Sequence, residues 1–212
     1  MEDVLSVYEC PYDPKRPVVC VDEKSKELHA TPHGEIAPKP GSAARQDYEY
    51  QRNGTANMFL SVEPLAGRRR VRITDRRTSQ DFAEELRILS DEDYPDAAVI
   101  RLVTDNLNTH GPWCLYERFD PAEAKRLSDR FEWHYTPEHA SWLNMAELEL
   151  SVFSRQCLNR RIEDKQSLIR QAATWESERN AKHKNIQWQF ATADARLKLR
   201  RLYPVFKEQT SG

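Results

Sequence analysis

The sequence predicts an α/β fold in which a mixed central sheet of about five strands is flanked by helices. Short apolar runs rich in β-branched residues recur along the chain and are bounded by proline, glycine or charged residues. Three such runs come first, and helical patterns separate the later ones. Consecutive strands joined by short turns favour antiparallel pairing, whereas strands separated by helices favour parallel pairing. The order therefore predicts a mixed sheet.

The strands are predicted from apolar runs and alternation. PVVCVDE at 17–23 is a buried strand, because β-branched residues follow two prolines and the run ends in acids. AVIRLVT at 98–104 is the most strand-like stretch of the chain, and it leads directly into Asp105. The other strands are predicted at 55–63, 69–75 and 131–135.

The helices are predicted from apolar residues at helical spacing. After Thr78 the segment QDFAEELRILS carries such residues, and either Ser79 or Asp81 is the expected cap. Further helices are predicted around 112–129 with a break at Pro121, from Trp142 onward, and over 164–179. The segment 27–47 is rich in proline, glycine, alanine and serine, and is predicted to be a loop or arm.

Length and composition predict one globular domain over residues 1–212. Hydrophobic residues make up 39% and charged residues 31% of the chain. The four cysteines form no CxxC pair, which favours free thiols over a zinc knuckle. No apolar run approaches the ~20 residues that cross a bilayer, and the N-terminus lacks a secretory signal pattern. We therefore expect a cytoplasmic protein that does not act at a membrane.

The distribution of charge is more informative than the net charge of −2. Acidic residues dominate 81–96, and basic residues dominate the C-terminal third and a cluster at 68–77. Two basic clusters are compatible with a phosphate-backbone footprint. They are equally compatible with solvated faces, and both interpretations remain open.

Three carboxylates stand out by their placement. Asp22 and Asp105 end predicted strands, and Glu147 lies in the first turns of the helix after the last strand. Strand ends of an α/β sheet meet beside a crevice, and converging carboxylates require a cation. Oxygen ligands alone favour Mg²⁺ or Mn²⁺, and a pair of such ions can catalyse displacement at phosphorus. The alternative is that each carboxylate only caps a turn or helix.

Several segments together resemble bacterial insertion-sequence transposases of the mariner-like superfamily. They are VCVDE at 19–23, VTDNLNTH at 103–110, YTPEHASWLNMAELELSVFSR at 135–155, the stretch 47–57, and RNAKHKNIQWQFATADARLKLRRLYP at 179–204. The resemblance implies a ribonuclease H-like catalytic domain of the DDE superfamily of endonucleases. It also implies that the metal-binding and catalytic residues are Asp22, Asp105 and Glu147, with Asp22 as the candidate bridge between two ions.

The resemblance further implies an activity and its partners. We expect metal-dependent cleavage of DNA phosphodiesters at transposon ends and strand transfer into target DNA, with two Mg²⁺ or Mn²⁺ ions and a homodimeric synaptic complex. The acting protein would associate with the bacterial nucleoid. The family's N-terminal helix-turn-helix modules are expected to be absent, and 180–212 is expected to be a C-terminal extension. The alternative is a catalytically silent remnant that binds DNA or a partner.

Other residues around the carboxylates have weaker signals. Glu23, Asn106 and His110 are candidates for orienting the metal ligands or the substrate. Glu23 would face the opposite side of a continuing strand from Asp22. Asn106 and His110 are equally well explained as a turn cap and its packing neighbour. Glu149, two residues beyond Glu147 on a helix, is expected to be exposed.

Candidates for DNA contact follow the predicted helix from Trp142. Arg155, Arg160 and Arg161 are candidates for the phosphate backbone. Trp142 is a candidate for stacking on a displaced base, although its place at the start of an amphipathic helix favours the core.

Overall fold

The computed structural model describes residues 1–30, 49–138 and 140–203, leaving aside the side chain of Leu202. Its five strands form one mixed sheet in the order β3-β2-β1-β4-β5. The strands β1 to β3 pair antiparallel, and β4 pairs parallel with both β1 and β5. The strands are β1 Val18–Ala30, β2 Gln51–Glu63, β3 Arg68–Thr74, β4 Ile100–Thr104 and β5 Phe131–Tyr135.

Helices cover both faces of the sheet. They are α1 Glu2–Tyr8, α2 Ser79–Ile88, α3 Trp113–Arg118, α4 Pro121–Ser128, α5 Met145–Phe153, α6 Lys165–Ala181 and α7 Thr192–Lys198. Two π-helical segments, Leu89–Asp93 and Ser154–Leu158, extend α2 and α5. Short 3-10 turns lie at Ser141–Leu143 and Arg200–Leu202.

Alternation along β1 separates two hydrophobic cores. Cys20 points into the core beneath α1, α5 and α6, whereas Val19 and Val21 point into the core beneath α2, α3 and α4. In β4, Val103 joins the first core and Leu102 the second. Even-numbered residues of β1 therefore share a face of the sheet with odd-numbered residues of β4, and the candidate site described below depends on this arrangement.

The predicted order of the strands and the mixed sheet are confirmed. The first strand is longer than predicted, because β1 continues to Ala30 and pairs with β2 over its polar half. Residues 27–30 of the predicted arm at 27–47 therefore belong to β1, and the residues from 31 on lie outside those that the structure describes. Helix α1 was not predicted.

The predicted helices agree with the structure except at their beginnings, but α7, like α1, was not predicted. The break at Pro121 is confirmed, since α3 and α4 are separate helices. The cap of α2 is Thr78, whose side chain accepts from the backbone N–H of Asp81, and not Ser79 or Asp81. The helix predicted from Trp142 begins at Met145, because Asn144 adopts an extended backbone and caps it.

Three arginines of the basic cluster at 68–77 pair with carboxylates of the acidic segment 81–96. Arg68 and Arg70 both pair with Asp93 at 2.7 Å, and Arg72 pairs with the buried Glu85 at 2.6 Å. These ion pairs compensate the charge of the three arginines and favour the interpretation of the cluster as a solvated face. In the described parts of the chain, no helix combines the length and apolar character needed to cross a bilayer.

Candidate active site

The register of the parallel strands brings Asp22 and Asp105 together. Cys20 of β1 is paired with Val103 of β4, and two further residues along each strand reach Asp22 and Asp105. Both aspartates continue the face of Cys20 and Val103, since alternate residues of a strand share a face. Asp22 lies within β1, at the point where its pairing with β4 stops. The expectation that β1 ends there is wrong.

Glu147 is held over the same edge by the beginning of α5. Asn144 caps this helix by accepting from the N–H of Ala146 at 3.1 Å, and its Nδ2 donates to the carbonyl of Val21 at 2.9 Å. That second bond fixes the start of α5 beside the residue that precedes Asp22. Glu147 is exposed in the first turn of α5, where the helix dipole favours a carboxylate.

Burial and nearby carboxylates both disfavour the ionised form of Asp22. Burial is the largest cause, a bond from the N–H of Glu23 opposes it, and the charges of Glu23, Asp105 and Glu147 add to it; together they raise the pKa of Asp22 to about 7. The N–H of Glu23 donates to Asp22 Oδ1 at 2.8 Å. A half-buried carboxyl group surrounded by like charge is unstable as an anion without a cation.

His110 contacts both Asp105 and Glu23 and so links them. Its Nδ1 contacts Asp105 Oδ1 in a short hydrogen bond and lies 3.2 Å from Thr104 Oγ1. Its Nε2 lies 3.0 Å from Glu23 Oε2, as an ion pair rather than a well-aligned hydrogen bond. Burial lowers the pKa of His110, but Asp105 and Glu23 raise it to about 9. The imidazole is therefore a cation at neutral pH.

Glu23 lies on the opposite face of β1 from Asp22. The residues of its own face, Val19 and Val21, belong to the core beneath α2, and His110 stacks on Phe82 of that helix with ring centroids 4.3 Å apart. The Oε1 atom of Glu23 also lies 3.6 Å from Arg77. Glu23 is therefore connected to the carboxylate edge through His110.

Asn106 is exposed in the loop after β4. Within residues 1–30, 49–138 and 140–203, its side chain makes no hydrogen bond with the protein, so it does not cap the turn there. In the same parts of the chain, no three His, Cys, Asp or Glu side chains stand together as a ready set of metal ligands. The Asp105 carboxylate is instead turned towards His110.

The chemistry of the donor set fits a hard divalent cation. Asp22, Asp105 and Glu147 offer carboxylate oxygens, the ligands preferred by Mg²⁺ and Mn²⁺. The pKa of Asp22 is raised because its ionised form is disfavoured, and a bound cation would stabilise that form. Cys20 precedes Asp22 by two residues on the same face of β1, but its side chain is completely buried in the core.

The arginines predicted to contact DNA lie after α5, and Trp142 lies just before it. Arg155 and Arg160 are exposed, and Arg161 packs over the ring of Tyr50 at 5.8 Å. Trp142 keeps 38% of its surface exposed and stacks on Trp188 with ring centroids 6.2 Å apart. It therefore lies at the margin of the core.

Glu149 is buried, contrary to the expectation of an exposed residue. Its side chain is only 2% exposed, and it pairs with Arg69 at 3.0 Å and with Arg179 at 2.9 Å. The Arg69 side chain is completely buried and also donates to the carbonyl of Gly67. Glu149 thus neutralises two cations inside the fold and has a structural role.

Sequence reasoning missed several residues around the site. Tyr8 of α1 donates to the carbonyl of Leu143 at 2.7 Å and so supports the segment that enters α5. Lys24 and Lys26 follow Asp22 on the same face of β1. Alternation would have placed both lysines there, had the strand been extended beyond residue 23.

Comparison with known proteins places these observations in a family. Residues 17–169 match the model of the family described as DDE superfamily endonuclease. The crystal structure of the Mos1 strand transfer complex is similar, with a TM-score of 0.54 and 13% identity over 85% of this chain and 54% of that chain. A Mos1 transposase paired-end complex with the left transposon end covers 87% of this chain at 12% identity, with a TM-score of 0.33.

The match to the Mos1 strand transfer complex establishes the architecture. The ribonuclease H-like fold expected from the sequence is confirmed by the first structural match. The chain spans about half the length of that Mos1 chain. No curated protein matches the sequence.

Proposed function

Since the chain belongs to the DDE superfamily endonucleases, we propose that it cleaves DNA phosphodiesters at transposon ends and transfers the cut strand into target DNA. Asp22, Asp105 and Glu147 are the proposed metal-binding and catalytic residues. The observation that carries the proposal is the register of β1 and β4, which leads to Asp22 and Asp105, together with the bond from Asn144 to Val21 that fixes the start of α5, and so Glu147, beside Asp22. The solved Mos1 complexes, which are named for strand transfer and for a transposon end, support the choice of substrate.

The proposed metals are two Mg²⁺ or Mn²⁺ ions. When bound, such ions lower the charge at the reacting phosphate and favour deprotonation of the attacking hydroxyl group. Asp22 is the proposed bridging ligand, because the charges of both other carboxylates act on it. Asp105 and Glu147 would complete the ligand set.

The remaining residues of the site orient these ligands. His110 and Glu23 hold the Asp105 carboxylate from behind, and Asn144 ties the start of α5 to β1. Such hydrogen-bonded supports typically fix ligand orientation and tune affinity for the metal. Asn106 is exposed at the same edge and is proposed to contact substrate.

The proposed partners are DNA and a second copy of the chain. Arg155, Arg160, Arg161 and Trp142 are the proposed DNA contacts. Two copies would form the synaptic complex that joins the transposon ends. We propose that residues 1–212 act as one catalytic domain in this complex and that the protein works in the bacterial cytoplasm on nucleoid DNA.

Nicking of supercoiled plasmid tests the activity. The wild type should nick DNA with Mg²⁺ or Mn²⁺ and not with EDTA, and Asp105→Ala and Glu147→Ala should abolish nicking. Asp129→Ala, at an exposed position on the far side of the sheet, is the matched control and should retain activity. Equal inactivity of wild type and Asp105→Ala with terminal-repeat DNA present would establish the silent remnant instead. Strand-transfer products separate a transposase from a simple nuclease.

A further inference from the structure

A basic groove lies beside the proposed active site. Of the residues that line it, only Arg155 has been given a role above. The basic groove is formed by β1 and the end of α5, and has a volume of about 400 Å³. Its lining residues are Lys24, Lys26, Ser154, Arg155, Leu158 and Asn159. Three of these six side chains are cationic, and no carboxylate lines the groove.

The two walls of the basic groove follow Asp22 and Glu147 along the chain. Asp22, Lys24 and Lys26 are alternate residues of β1 and so project from one face of the strand. On the other wall, Arg155 lies eight residues after Glu147, two helical turns further along α5 and its π-helical extension. Both walls therefore lead away from the carboxylate edge in the same direction.

The cations of the basic groove are held by neutral oxygens. Lys24 Nζ donates to Ser154 Oγ at 2.8 Å, and Lys26 Nζ donates to the carbonyl of Leu158 at 2.9 Å. Arg155 Nη1 donates to Ser151 Oγ at 2.7 Å. None of the three cations forms an ion pair with a carboxylate in the described parts of the chain. Arg68, by contrast, pairs with the carboxylate of Asp93.

We propose that the basic groove binds consecutive phosphates of one DNA strand next to the phosphate held by the carboxylates. Lys24, Lys26 and Arg155 would be the phosphate contacts. This inference rests on the proposed function, which supplies the DNA, and adds the path that the strand follows. Uncompensated cations in a groove attract polyanions, and binding would release the counterions of each neutralised phosphate.

The spacing of the side chains fits a nucleic-acid strand. Alternate residues of a strand are about 6.6 Å apart, which is close to the distance between consecutive phosphates of a DNA strand. With the reacting phosphate at Asp22, Lys24 and Lys26 would meet the next two phosphates. Arg155 would contact the same strand from the opposite wall.

Salt-dependent binding of duplex DNA tests the basic groove. Affinity would be measured by fluorescence anisotropy with Ca²⁺, over a series of salt concentrations, for the wild type and for Lys24→Gln/Lys26→Gln/Arg155→Gln. The wild-type slope of log affinity against log salt should become shallower by about 2–3 in the triple variant, since each lost phosphate contact contributes about 0.9. Affinity near physiological salt should fall by about tenfold or more.

Two controls separate the groove from general charge. Lys15→Gln/Arg16→Gln/Lys125→Gln removes the same charge at the opposite edge of the sheet and on α4, and should keep the wild-type slope. The charge-conserving variant Lys24→Arg/Lys26→Arg/Arg155→Lys should largely restore binding. Thermal unfolding of each variant establishes that the fold is retained.

The outcomes distinguish the groove from the proposed function. If the wild type nicks DNA but the groove variant and the control variant, both triple glutamine variants, show equal salt slopes, the inference about the groove is wrong and the proposed function stands. If the wild type neither binds nor nicks DNA, both fail. A shallower slope confined to the groove variant, with rescue by the charge-conserving variant, supports the inference.

Discussion

Replacing Asp22 by asparagine should stabilise the metal-free protein at alkaline pH while abolishing its activity. Asparagine keeps the Oδ1 acceptor for the N–H of Glu23 and removes the charge. In the folded protein, burial and neighbouring carboxylates raise the pKa of Asp22 from 3.8 to about 7. Each tenfold change in that proton equilibrium is worth about 1.4 kcal/mol, so the ionised form costs about 4 kcal/mol of folding free energy.

The sign of the effect follows from proton binding. Between pH 3.8 and about 7 the folded state holds a proton on Asp22 that the unfolded state has lost. The free energy of unfolding of the wild type therefore falls as pH rises through this window and levels off above it. In the variant this contribution is absent. The stability difference in favour of Asp22→Asn should grow by about 3 kcal/mol between about pH 5 and pH 8.

Urea unfolding in EDTA at several pH values measures this difference. Asp129→Asn, at an exposed carboxylate paired with Lys125, is the control and should differ little from the wild type at every pH. Added Mg²⁺ should stabilise the wild type and leave Asp22→Asn unchanged. A stability difference that does not depend on pH, or a variant less stable than the wild type at pH 8, would refute the reasoning.

Two further predictions concern the carboxylates around the site. His110→Ala and Glu23→Gln should each lower the nicking rate by about 10–100-fold and raise the metal concentration needed for half-maximal rate. The reason is that the orientation of the Asp105 carboxylate is no longer fixed. An unchanged metal dependence in both variants would contradict this role. Glu149→Ala should lower the free energy of unfolding by about 3–5 kcal/mol, because it leaves Arg69 buried without its charge partner. Glu147→Ala, two residues away and exposed, should lower the free energy of unfolding of the metal-free protein by less than about 1 kcal/mol, the usual contribution of a carboxylate at a helix N-terminus, and urea unfolding of the pair checks both statements.

The positions of the proposed ligands could be predicted because local patterns mark them. The apolar runs before Asp22 and Asp105 indicate strands, and parallel strands of one sheet place their ends together. The antiparallel strands β2 and β3 were predicted for similar reasons. Helix α1 was missed because seven residues, of which three are buried, carry too short a pattern to stand out.

The errors concern pairings between distant segments. The polar half of β1 gives no apolar pattern, and only the ladder with β2 makes it a strand. Glu149 is buried because Arg69 and Arg179 approach it from β3 and α6, and helical spacing within α5 cannot predict these partners. In the same way, Arg68 and Arg70 lose their free charge to Asp93 across a gap of more than twenty residues.

The site combines both kinds of information. Sequence patterns indicated that Glu23 and Asp22 lie on opposite faces of β1, and the core on each face agrees. The connection of Glu23 back to Asp105 through His110 depends on the loop after β4, which no local pattern describes. Tertiary contacts therefore determine which of Glu23, Asn106 and His110 contacts the proposed metal ligands.

The central claim is that Asp22, Asp105 and Glu147 share divalent cations. Crystals soaked in Mn²⁺ and measured for anomalous scattering test it most directly. The account predicts anomalous peaks bonded to Asp22 and at least one of the other two carboxylates, and their loss in Asp22→Asn. Saturating Mn²⁺ that leaves these three carboxylates without a peak, or that binds only elsewhere on the molecule, would contradict it.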